Sequence, residues 1–449
     1  MQNYKEQFKG KKITVMGLGL LGGALNDILY LVKHGAILTV TDLKDATQLK
    51  YSLDKLKKYP QIKFTLGEHN IEDFKNTDMV VQPGNVPIDS PYLVEARKNN
   101  IPIFVSESLF AKYATGAILV GVTGTRGKSM TTALIYEILK ENIKDRKVYL
   151  GGNVRNVSTL ALLDKIKPGD IVVMELDSWA LHGMGDIKIS PHISVFTSFM
   201  PDHMNYYGST GSPQAKAMED YFNDKALIYR NQKKGDVLVT SKEMKKLIGT
   251  NLQSKIILAD KKNVSDWKFI VPGDHQRQNL AYAVEVARQF DIPISKIKKT
   301  VAGFKGVEGR LQLLRNYKGI KIYNDNNATT PEAVIAGIKA VKNQGKNIIL
   351  ICGGSDKKVD LTNFVKTFNK ECKFISMIPG TGTDILIKNY KLRITNEVGT
   401  NLKEVVSKAL VQAKKGDVVL FSPGFASFGM FTNEYERNDL FVKIIKKLK

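Results

Sequence analysis

Apolar runs of strand length alternate with amphipathic segments of helix length along most of this chain, and glycine turns separate them. The first example covers residues 12–35, where a buried strand, a glycine-rich turn and a helix ended by Gly35 follow one another. The apolar run AILTVTDLK comes next and completes a βαβ unit. Because the same pattern continues through the chain, the predicted fold class is α/β, with open and mostly parallel sheets covered on both faces.

Three α/β domains are predicted from the order of the strands and the usual size of a domain. Residues 1–114 are expected to form a Rossmann-like domain, residues 115–306 a central α/β domain of the P-loop ATPase type, and residues 307–449 a second Rossmann-like α/β domain. In such folds ligands bind beyond the carboxyl ends of the strands, so each glycine turn at a strand end marks a candidate cleft.

The most specific local motif is GVTGTRGKSMTT, residues 121–132, which follows a strand and precedes a helix. A loop of this kind surrounds phosphate oxygens with backbone N–H groups, while Lys128 neutralises the outer phosphates and Ser129 offers a hydroxyl to Mg²⁺. The motif therefore predicts nucleotide binding. The predicted nucleotide contacts in this stretch are Gly124, Thr125, Gly127, Lys128, Ser129 and Met130.

A second glycine turn, GLGLLGG at residues 17–23, resembles a dinucleotide fingerprint, and Asp42 ends the next strand. A carboxylate in that position can bind a ribose hydroxyl. Two other interpretations stay open from the residues alone. Either the turn serves only to let helix and strand pack closely, or it binds a nucleotide other than a dinucleotide.

Three residues after the P-loop are candidates for metal chemistry. Glu175 ends an apolar strand, where a carboxylate can hold Mg²⁺ beside a P-loop. His203 follows another strand and is either a ligand or a structural histidine. Lys225 lies in a helix-like segment, where a lysine is by default exposed to solvent.

Charge and composition narrow the class of protein only partly. The chain has 67 Lys and Arg residues against 44 Asp and Glu residues, a net charge of +23 that would suit a polyanionic partner. The basic residues are scattered along the chain, however, so no nucleic-acid partner is predicted. The two cysteines lack metal-ligand spacing, and no apolar run reaches the roughly 18 residues of a membrane span. We expect a cytoplasmic monomer.

Read in order, the motifs of the whole chain resemble the Mur ligase family, whose members are ATP-dependent amide-bond ligases. The motifs that carry the resemblance are GVTGTRGKSMTT, MEL, DHM, DKALIY, GDHQRQNLAYA, GRLQLL, NDNNATTPEAVIAGI, GGSDKKVD and FSPGFASFGMFTNEYERNDLF. The segments VMGLGLLG, QPGNVP and SPGFASFGMF point most closely to the members that add D-glutamate to UDP-N-acetylmuramoyl-L-alanine in peptidoglycan precursor synthesis.

The resemblance implies that ATP phosphorylates an acid and that the amine of an amino acid then attacks the acyl phosphate. The residues that it makes catalytic are Lys128, Glu175, His203 and Lys225. It also implies two Mg²⁺ ions, one near Ser129 and Glu175 and the other near Glu175, His203 and Lys225. Lys225 would be carbamylated, because that change converts an ammonium group into an oxygen ligand.

The resemblance further implies substrate contacts in all three domains, which would bind the UDP-linked substrate, ATP and the amino acid, respectively. The nucleotide contacts later in the chain are Asn279, Arg310 and Asp325. The contacts to the UDP-linked sugar-peptide are Gly17, Leu20, Leu21, Asp42, Gly84 and Asn153. Lys357 and Ser427 would bind the side-chain carboxylate of the incoming amino acid through charge-assisted hydrogen bonds.

Several positions depart from the pattern of the family, and they are Arg126, Arg155, Asp177, Ala180 and Asn327. Because most of them lie near the acceptor, a related ligase that adds another amino acid or uses another nucleotide-sugar stays open, as does folylpolyglutamate synthetase. A P-loop ATPase that depends on nucleic acid is a further alternative, but it needs a strand ending in Asp, and the strand here ends in VMELDS. A non-catalytic nucleotide sensor would not need the Lys, Glu, His and Lys set.

Overall fold

The computed structural model describes residues 4–19, 23–84, 86–87, 89–155, 157–208, 214–250, 252–342 and 347–448. The chain divides into two compact units. The first contains Met1–Asp260 and Asn279–Ile297, and the second contains Lys261–Gln278 and Lys298–Lys449.

The first unit begins with a five-stranded parallel sheet of order β3-β2-β1-β4-β5. Its strands are β1 (Lys12–Met16), β2 (Ile37–Asp42), β3 (Lys63–Leu66), β4 (Met79–Val81) and β5 (Ile103–Phe104). The helices around it are α1 (Tyr4–Phe8), α2 (Gly23–Lys33), α3 (Lys50–Leu56), α4 (Pro91–Lys98) and α5 (Ser106–Tyr113), with a 3-10 turn at Ile71–Phe74. The strand order reverses at β1, which places a binding crevice at its carboxyl end.

The same unit contains a six-stranded parallel sheet of order β11-β10-β9-β6-β8-β7. Its strands are β6 (Ile118–Thr123), β7 (Val148–Gly152), β8 (Ile171–Glu175), β9 (Ile193–Phe196), β10 (Val237–Thr240) and β11 (Lys255–Leu258). Every residue of β8 and β9 is buried, as expected for central strands with helices on both faces.

The helices that follow these strands are α6 (Lys128–Asn142), α7 (Ser178–Asp186), α8 (Met204–Tyr207), α9 (Gln214–Arg230), α10 (Lys242–Ile248), α11 (Asp274–Arg288) and α12 (Ile294–Gly303). Two 3-10 turns lie at Leu160–Asp164 and Lys261–Val264. Apolar side chains of both sheets and their helices form one continuous core, which includes Val15 and Val40 of the first sheet and Val172 and Leu181 of the second region. This shared core holds the two sheets of the first unit together.

The second unit contains a sheet of order β12-β13-β17-β14-β15-β16, in which only β12 is antiparallel to its neighbour. Its strands are β12 (Gln312–Tyr317), β13 (Ile320–Asn324), β14 (Ile348–Gly353), β15 (Cys372–Ile378), β16 (Asn396–Val398) and β17 (Val418–Phe421). Its helices are α13 (Pro331–Val341), α14 (Thr362–Glu371), α15 (Thr381–Asn389), α16 (Leu402–Gln412) and α17 (Glu434–Lys446). Separate apolar clusters cover the two faces of this sheet.

The predicted α/β class with three open, mostly parallel sheets is confirmed. Lys318 and Gly319 join β12 to β13, and both have positive φ, as a tight two-residue hairpin requires. The domain boundaries at residues 114 and 306 stay a prediction. Within the part of the chain that the structure describes, no helix is long and apolar enough to cross a membrane.

Candidate active site

The glycine loop between β6 and α6 has a backbone that only glycine can adopt at two positions. Gly124 has a φ of +137°, and Gly127, which precedes α6, has a φ of +91°. A side chain at Gly124 would collide with Thr197, and a Cβ at Gly127 would lie 2.5 Å from Oδ1 of Asn279. The first N–H groups of α6 have no acceptor within the helix, so the loop is suited to bind a phosphate.

Lys128 and Ser129 are the first two residues of α6, and Ser129 lies next to the last residue of β8, Glu175. Lys128 Nζ donates a hydrogen bond to the carbonyl oxygen of Gly124 at 2.9 Å. Ser129 Oγ donates to Oε1 of Glu175 at 2.9 Å, and Glu175 is only 5% exposed. The two residues meet because β6 and β8 are neighbouring parallel strands, whose carboxyl ends lie at one edge of the sheet.

The other predicted nucleotide contacts in and near the P-loop differ in their burial and in the residues they meet. The Thr125 hydroxyl accepts a hydrogen bond from the Met200 N–H at 3.1 Å and lies 3.3 Å from the hydroxyl of Tyr221. The side chain of Met130 is buried in the core, which leaves only its backbone for the predicted nucleotide contact. Asn279 of α11 lies against Gly127, so this predicted nucleotide contact from later in the chain is beside the loop.

Lys225 of α9 is buried, against the ordinary expectation for a lysine on a helix. It is 1% exposed, and its Nζ lies 4.8 Å from the ring centroid of Tyr221. It forms no hydrogen bond or ion pair with any residue that the structure describes. Burial, reinforced by the positive charge of Lys128, lowers the pKa of Lys225 to about 7. Much of this side chain is therefore a neutral amine at neutral pH.

His203 lies immediately before α8 and has a φ of +57°, an uncommon conformation for a residue with a side chain. Its ring centroid is 4.8 Å from that of Trp179 and 5.9 Å from that of Tyr221. Burial lowers the pKa of His203; the charge of Asp202 opposes this shift, and the positive charges of Lys225 and Lys128 add to it. A neutral imidazole is the form that binds a metal ion.

These residues fit Mg²⁺ in part. Among the described residues, no group of three or more His, Cys, Asp or Glu side chains is arranged to hold a metal ion. Mg²⁺ commonly uses only one or two protein oxygens together with phosphates, so the Ser129 and Glu175 pair suits it. The ammonium form of Lys225 cannot be a ligand, and Mg²⁺ prefers oxygen to a neutral amine, so an unmodified Lys225 does not suit this ion.

The loop after β7 is fastened to the end of β8. Gly152 has a φ of +80°, and a side chain there would collide with the backbone of Glu175. The Asn153 N–H donates to the carbonyl oxygen of Glu175 at 2.8 Å, and its Nδ2 lies 3.4 Å from Oδ2 of Asp177. Asp177 also caps α7, because its Oδ1 accepts from the Ala180 N–H at 2.8 Å. Asp177, one of the residues that depart from the family pattern, thus stands beside Asn153.

The first glycine turn binds a carboxylate of its own chain. Oδ2 of Asp42 accepts from the N–H groups of Leu18 at 2.9 Å and Gly19 at 3.2 Å, while Oδ1 accepts from the Lys44 N–H at 2.9 Å. Gly17 has a φ of +84°. Asp42 therefore organises the turn, whatever it contributes to a ligand. Leu20 and Leu21 lie outside the described residues.

Gly84 belongs to a loop of the first sheet that reaches the second. A Cβ at Gly84 would lie 2.6 Å from Cβ of Trp179, so glycine permits this close approach. Tyr206, on α8, donates its hydroxyl to the carbonyl oxygen of Val86 at 3.3 Å. The predicted acceptor loop thus contacts the helices next to His203.

In the second unit, Lys357 and Ser427 lie on two loops that are paired at the carboxyl edge of the sheet. Ser355 and Ala426 exchange backbone hydrogen bonds of 3.0 and 3.1 Å. Nζ of Lys357 donates to the hydroxyl of Thr329 at 3.0 Å. The structure therefore brings the two predicted contacts of the amino-acid substrate to the same edge.

Asp325 follows β13 at this edge and is buried. Its carboxylate accepts from the Ser422 hydroxyl at 2.9 Å and from the Leu311 N–H at 3.0 Å. Burial raises the pKa of Asp325 to about 7, and the charge of the half-buried Arg310 opposes this shift. The hydrogen bonds from Ser422 and Leu311 oppose the shift more than Arg310 does, and both come from the protein itself.

Three residues that contact these sites were not predicted from the sequence. Tyr221 lies four residues before Lys225, so helical periodicity could have placed it on the same face. Trp179 lies beside the ELDS stretch, but nothing in the sequence indicates its contact with His203. Arg437 is fully buried and donates to Oδ1 of Asn326 at 2.8 Å, a contact across 111 residues that no local pattern indicates.

A glycine loop with Lys and Ser at the start of a helix, next to a buried carboxylate on the neighbouring strand, defines the P-loop class of nucleotide-binding enzymes. Comparisons with known proteins narrow this class. The MurD-like N-terminal domain of Mur ligases matches residues 11–105, the Mur ligase middle domain residues 122–295, and the Mur ligase glutamate ligase domain residues 309–425.

Two relatives are similar along their whole length, and both are named UDP-N-acetylmuramoylalanine--D-glutamate ligase. The protein of Roseiflexus sp. (strain RS-1) is 33% identical over 98% of this chain and 99% of its own. That of Borreliella afzelii (strain PKo) is 32% identical over 99% of each chain. The solved UDP-N-acetylmuramate-alanine ligase MurC of Thermotoga maritima shares the fold, with a TM-score of 0.59 and 18% identity over 98% of this chain and 100% of that one. The chain belongs to the Mur ligase family of ATP-dependent amide-bond ligases, and the resemblance in its motifs is confirmed.

Proposed function

We propose that this protein joins D-glutamate to UDP-N-acetylmuramoyl-L-alanine in peptidoglycan precursor synthesis, with cleavage of ATP. A carboxylate oxygen of the acceptor attacks the γ-phosphorus of ATP, and ADP leaves. The amine of D-glutamate then attacks the carbonyl carbon of the acyl phosphate, loses a proton, and phosphate leaves with the electrons of the broken bond. The phosphorylation is needed because a free carboxylate is a poor electrophile.

The observation that carries the proposal is the group of Lys128, Ser129, Glu175 and the buried Lys225 in one unit of a chain with full-length similarity to D-glutamate ligases. The ammonium of Lys128 stabilises negative charge on the phosphates during transfer. Bound Mg²⁺ neutralises the same phosphates, and two ions are part of the proposal. Ser129 and Glu175 would hold one ion, and His203 with Glu175 and Lys225 the other.

We propose that Lys225 is carbamylated, and its lowered pKa supports this. Only the neutral amine attacks CO₂, and a pKa of about 7 leaves a large neutral fraction at neutral pH. The carbamate has an oxygen anion in place of a cation, which removes the electrostatic conflict between Lys225 and Lys128. The buried position of Lys225 therefore supports a modified lysine as a metal ligand.

The substrate contacts complete the proposal. Lys357 and Ser427 would bind the side-chain carboxylate of D-glutamate, and Lys357 is already oriented by Thr329. Gly17, Leu20, Leu21, Asp42, Gly84 and Asn153 would bind the UDP-linked acceptor. Asn279, Arg310 and Asp325 would bind the nucleotide. We further propose a cytoplasmic monomer, and sedimentation equilibrium would test the monomer.

The test is release of phosphate from ATP with UDP-N-acetylmuramoyl-L-alanine and a panel of amino acids of both configurations. The expected result is release that requires D-glutamate, together with a product whose mass equals acceptor plus D-glutamate minus water. Release with another amino acid would support the ligase activity but would contradict D-glutamate as the substrate. Release stimulated by DNA or RNA, without any acceptor, would favour the nucleic-acid-dependent alternative.

A variant tests the glutamate pocket separately. We expect Lys357→Ala to raise the KM for D-glutamate by about 10–100-fold, because a charge-assisted hydrogen bond contributes about 1.5–3 kcal/mol. The KM for ATP should stay unchanged. Lys366→Ala, on the exposed face of α14, is the matched control. Unchanged dependence on D-glutamate in Lys357→Ala would remove Lys357 from this role.

A further inference from the structure

Trp179 stands between the proposed acceptor loop and His203. It lies in the first turn of α7, directly after Ser178. On one side its Cβ lies so close to Gly84 that only glycine fits there. On the other side its ring centroid is 4.8 Å from that of His203, with the planes inclined at 59°. One side chain thus contacts both a loop of the first sheet and a candidate catalytic residue of the second.

The contacts continue from His203 to the P-loop. The His203 ring lies 5.9 Å from the ring of Tyr221, and the Tyr221 hydroxyl lies 3.3 Å from Oγ1 of Thr125. A contiguous series of contacts therefore runs from Gly84 through Trp179, His203 and Tyr221 to Thr125. Tightly packed interiors transmit small displacements through such contacts, because there is little free volume to absorb them.

The orientation of His203 should be sensitive to a small displacement of its neighbours. Its φ of +57° is a conformation that costs a residue with a Cβ free energy and persists only when the surroundings enforce it. The Trp179 ring is one of the surfaces that hold the imidazole. Tyr206 strengthens the connection, since its ring lies 5.5 Å from that of Trp179 and its hydroxyl bonds to Val86.

The indole is present for its shape rather than for a hydrogen bond within the protein. Its Nε1–H and the Oε1 of Gln82 are buried, bond to no residue that the structure describes, and line the same cavity of about 20 Å³. A phenylalanine would keep a flat ring against His203 and lose only the N–H and part of the ring. An alanine would remove the contact itself.

We propose that Trp179 is a positioning residue that couples occupation of the Gly84 loop by the acceptor to the orientation of His203. This inference rests on the proposed function, because it takes the Gly84 loop as part of the acceptor site. Its consequence is that the acceptor and the Mg²⁺–nucleotide complex bind cooperatively. By linkage, each strengthens the binding of the other by the same factor.

Calorimetry tests the coupling. The Kd of Mg²⁺ with a non-hydrolysable ATP analogue is measured with and without saturating UDP-N-acetylmuramoyl-L-alanine. We expect a ratio of about 5–150 in the natural protein and about 1 in Trp179→Ala, whose Kd for nucleotide alone changes less than about threefold. Trp179→Phe should keep most of the ratio. A natural ratio of 1, an unchanged ratio in Trp179→Ala, or an equal loss of nucleotide binding in the absence of acceptor would overturn the proposal.

Fluorescence tests it without altering Trp179. The chain has only two tryptophans, so Trp267→Phe makes Trp179 the sole indole. Acceptor and Mg²⁺–nucleotide should each shift its emission, and His203→Ala should remove the nucleotide shift but keep the acceptor shift. If neither ligand changes the emission of Trp179, the inference is overturned. Turnover with D-glutamate in the same protein would still uphold the proposed function. Failure of the natural protein to bind the acceptor at all would instead overturn the proposed function.

Discussion

The first unit contains two glycine turns that look alike in sequence and differ in electrostatics. The turn after β1 and the loop after β6 each follow a buried strand of a parallel sheet and lead towards a helix. In the first turn, the N–H groups of Leu18 and Gly19 are bonded to the carboxylate of Asp42. In the second, the helix starts with Lys128 and Ser129. The carboxylates of Glu175 and Asp202 bond there to the side chains of Ser129 and Arg126, respectively, and not to the loop backbone.

The different placement of the carboxylates suits the two glycine turns to different ligands. In the first turn, the N–H groups of Leu18 and Gly19 are already bonded to the carboxylate of Asp42, so they are not available to an anionic ligand. The P-loop keeps its positive end available, so it attracts phosphate. A glycine pattern after a strand therefore indicates a turn, and the placement of nearby carboxylates decides whether that turn binds an anion.

The largest effect is expected from removal of the P-loop cation. Lys128→Ala should lower kcat for phosphate release by about 10³-fold or more, because the charge that develops in phosphoryl transfer loses its stabilising partner. Binding of the UDP-linked acceptor should stay unchanged in calorimetry. Lys140→Ala, an exposed lysine of the same helix, is the control. Activity within tenfold of the natural protein would contradict the role of Lys128.

The next effect concerns the lysine beside the P-loop. Because the pKa of Lys225 is about 7, its ammonium form predominates below pH 7 and cannot react with CO₂. Enzyme depleted of CO₂ should be weakly active, and its recovery with bicarbonate should slow about tenfold per pH unit below 7 and level off above it.

Lys225→Ala should lower kcat by about 100-fold and abolish the response to bicarbonate. Lys216→Ala, on the exposed part of the same helix, should leave both unchanged. Full activity of the natural protein in CO₂-free buffer at every pH would rule out carbamylation.

A smaller effect is expected at the first turn. Asp42→Asn replaces a charged acceptor of two backbone N–H groups by a neutral one, which should cost about 1–2 kcal/mol of stability. The KM for the UDP-linked acceptor should rise about tenfold with the KM for ATP unchanged. Steady-state kinetics and thermal unfolding measure the two effects. An altered KM for ATP alone would show that the two turns are not independent.

The smallest effect should follow Gly19→Ala. Gly19 has a φ of +72°, but no atom lies within 4 Å of the position of an added Cβ. The change should therefore cost only the backbone strain, about 1 kcal/mol, measured by denaturant unfolding. A loss well above about 2 kcal/mol would exceed the backbone strain and would mean that the added Cβ meets other atoms.

Local sequence patterns predicted the features that depend on residues close together in the chain. The P-loop was predicted because a strand, glycines and Lys-Ser at a helix start are adjacent in the chain. The α/β class was predicted because parallel, doubly covered strands need nearly continuous apolar runs. For the contacts between distant segments, such as Glu175 with Ser129, the ordered motifs of the family supplied the expectation.

Only the tertiary structure decided what each of these residues meets. Asp42 lies at a strand end, as predicted, but its bonds to the backbone of the first turn depend on the pairing of β1 with β2. The packing of Trp179 between Gly84 and His203 depends on two sheets that share one core. Lys225 is an ordinary helical lysine in sequence, and its lowered pKa comes from its burial in the folded protein and from the charge of Lys128. Periodicity and motif spacing act along the chain, whereas burial, charge coupling and close approach arise between segments that only folding brings together.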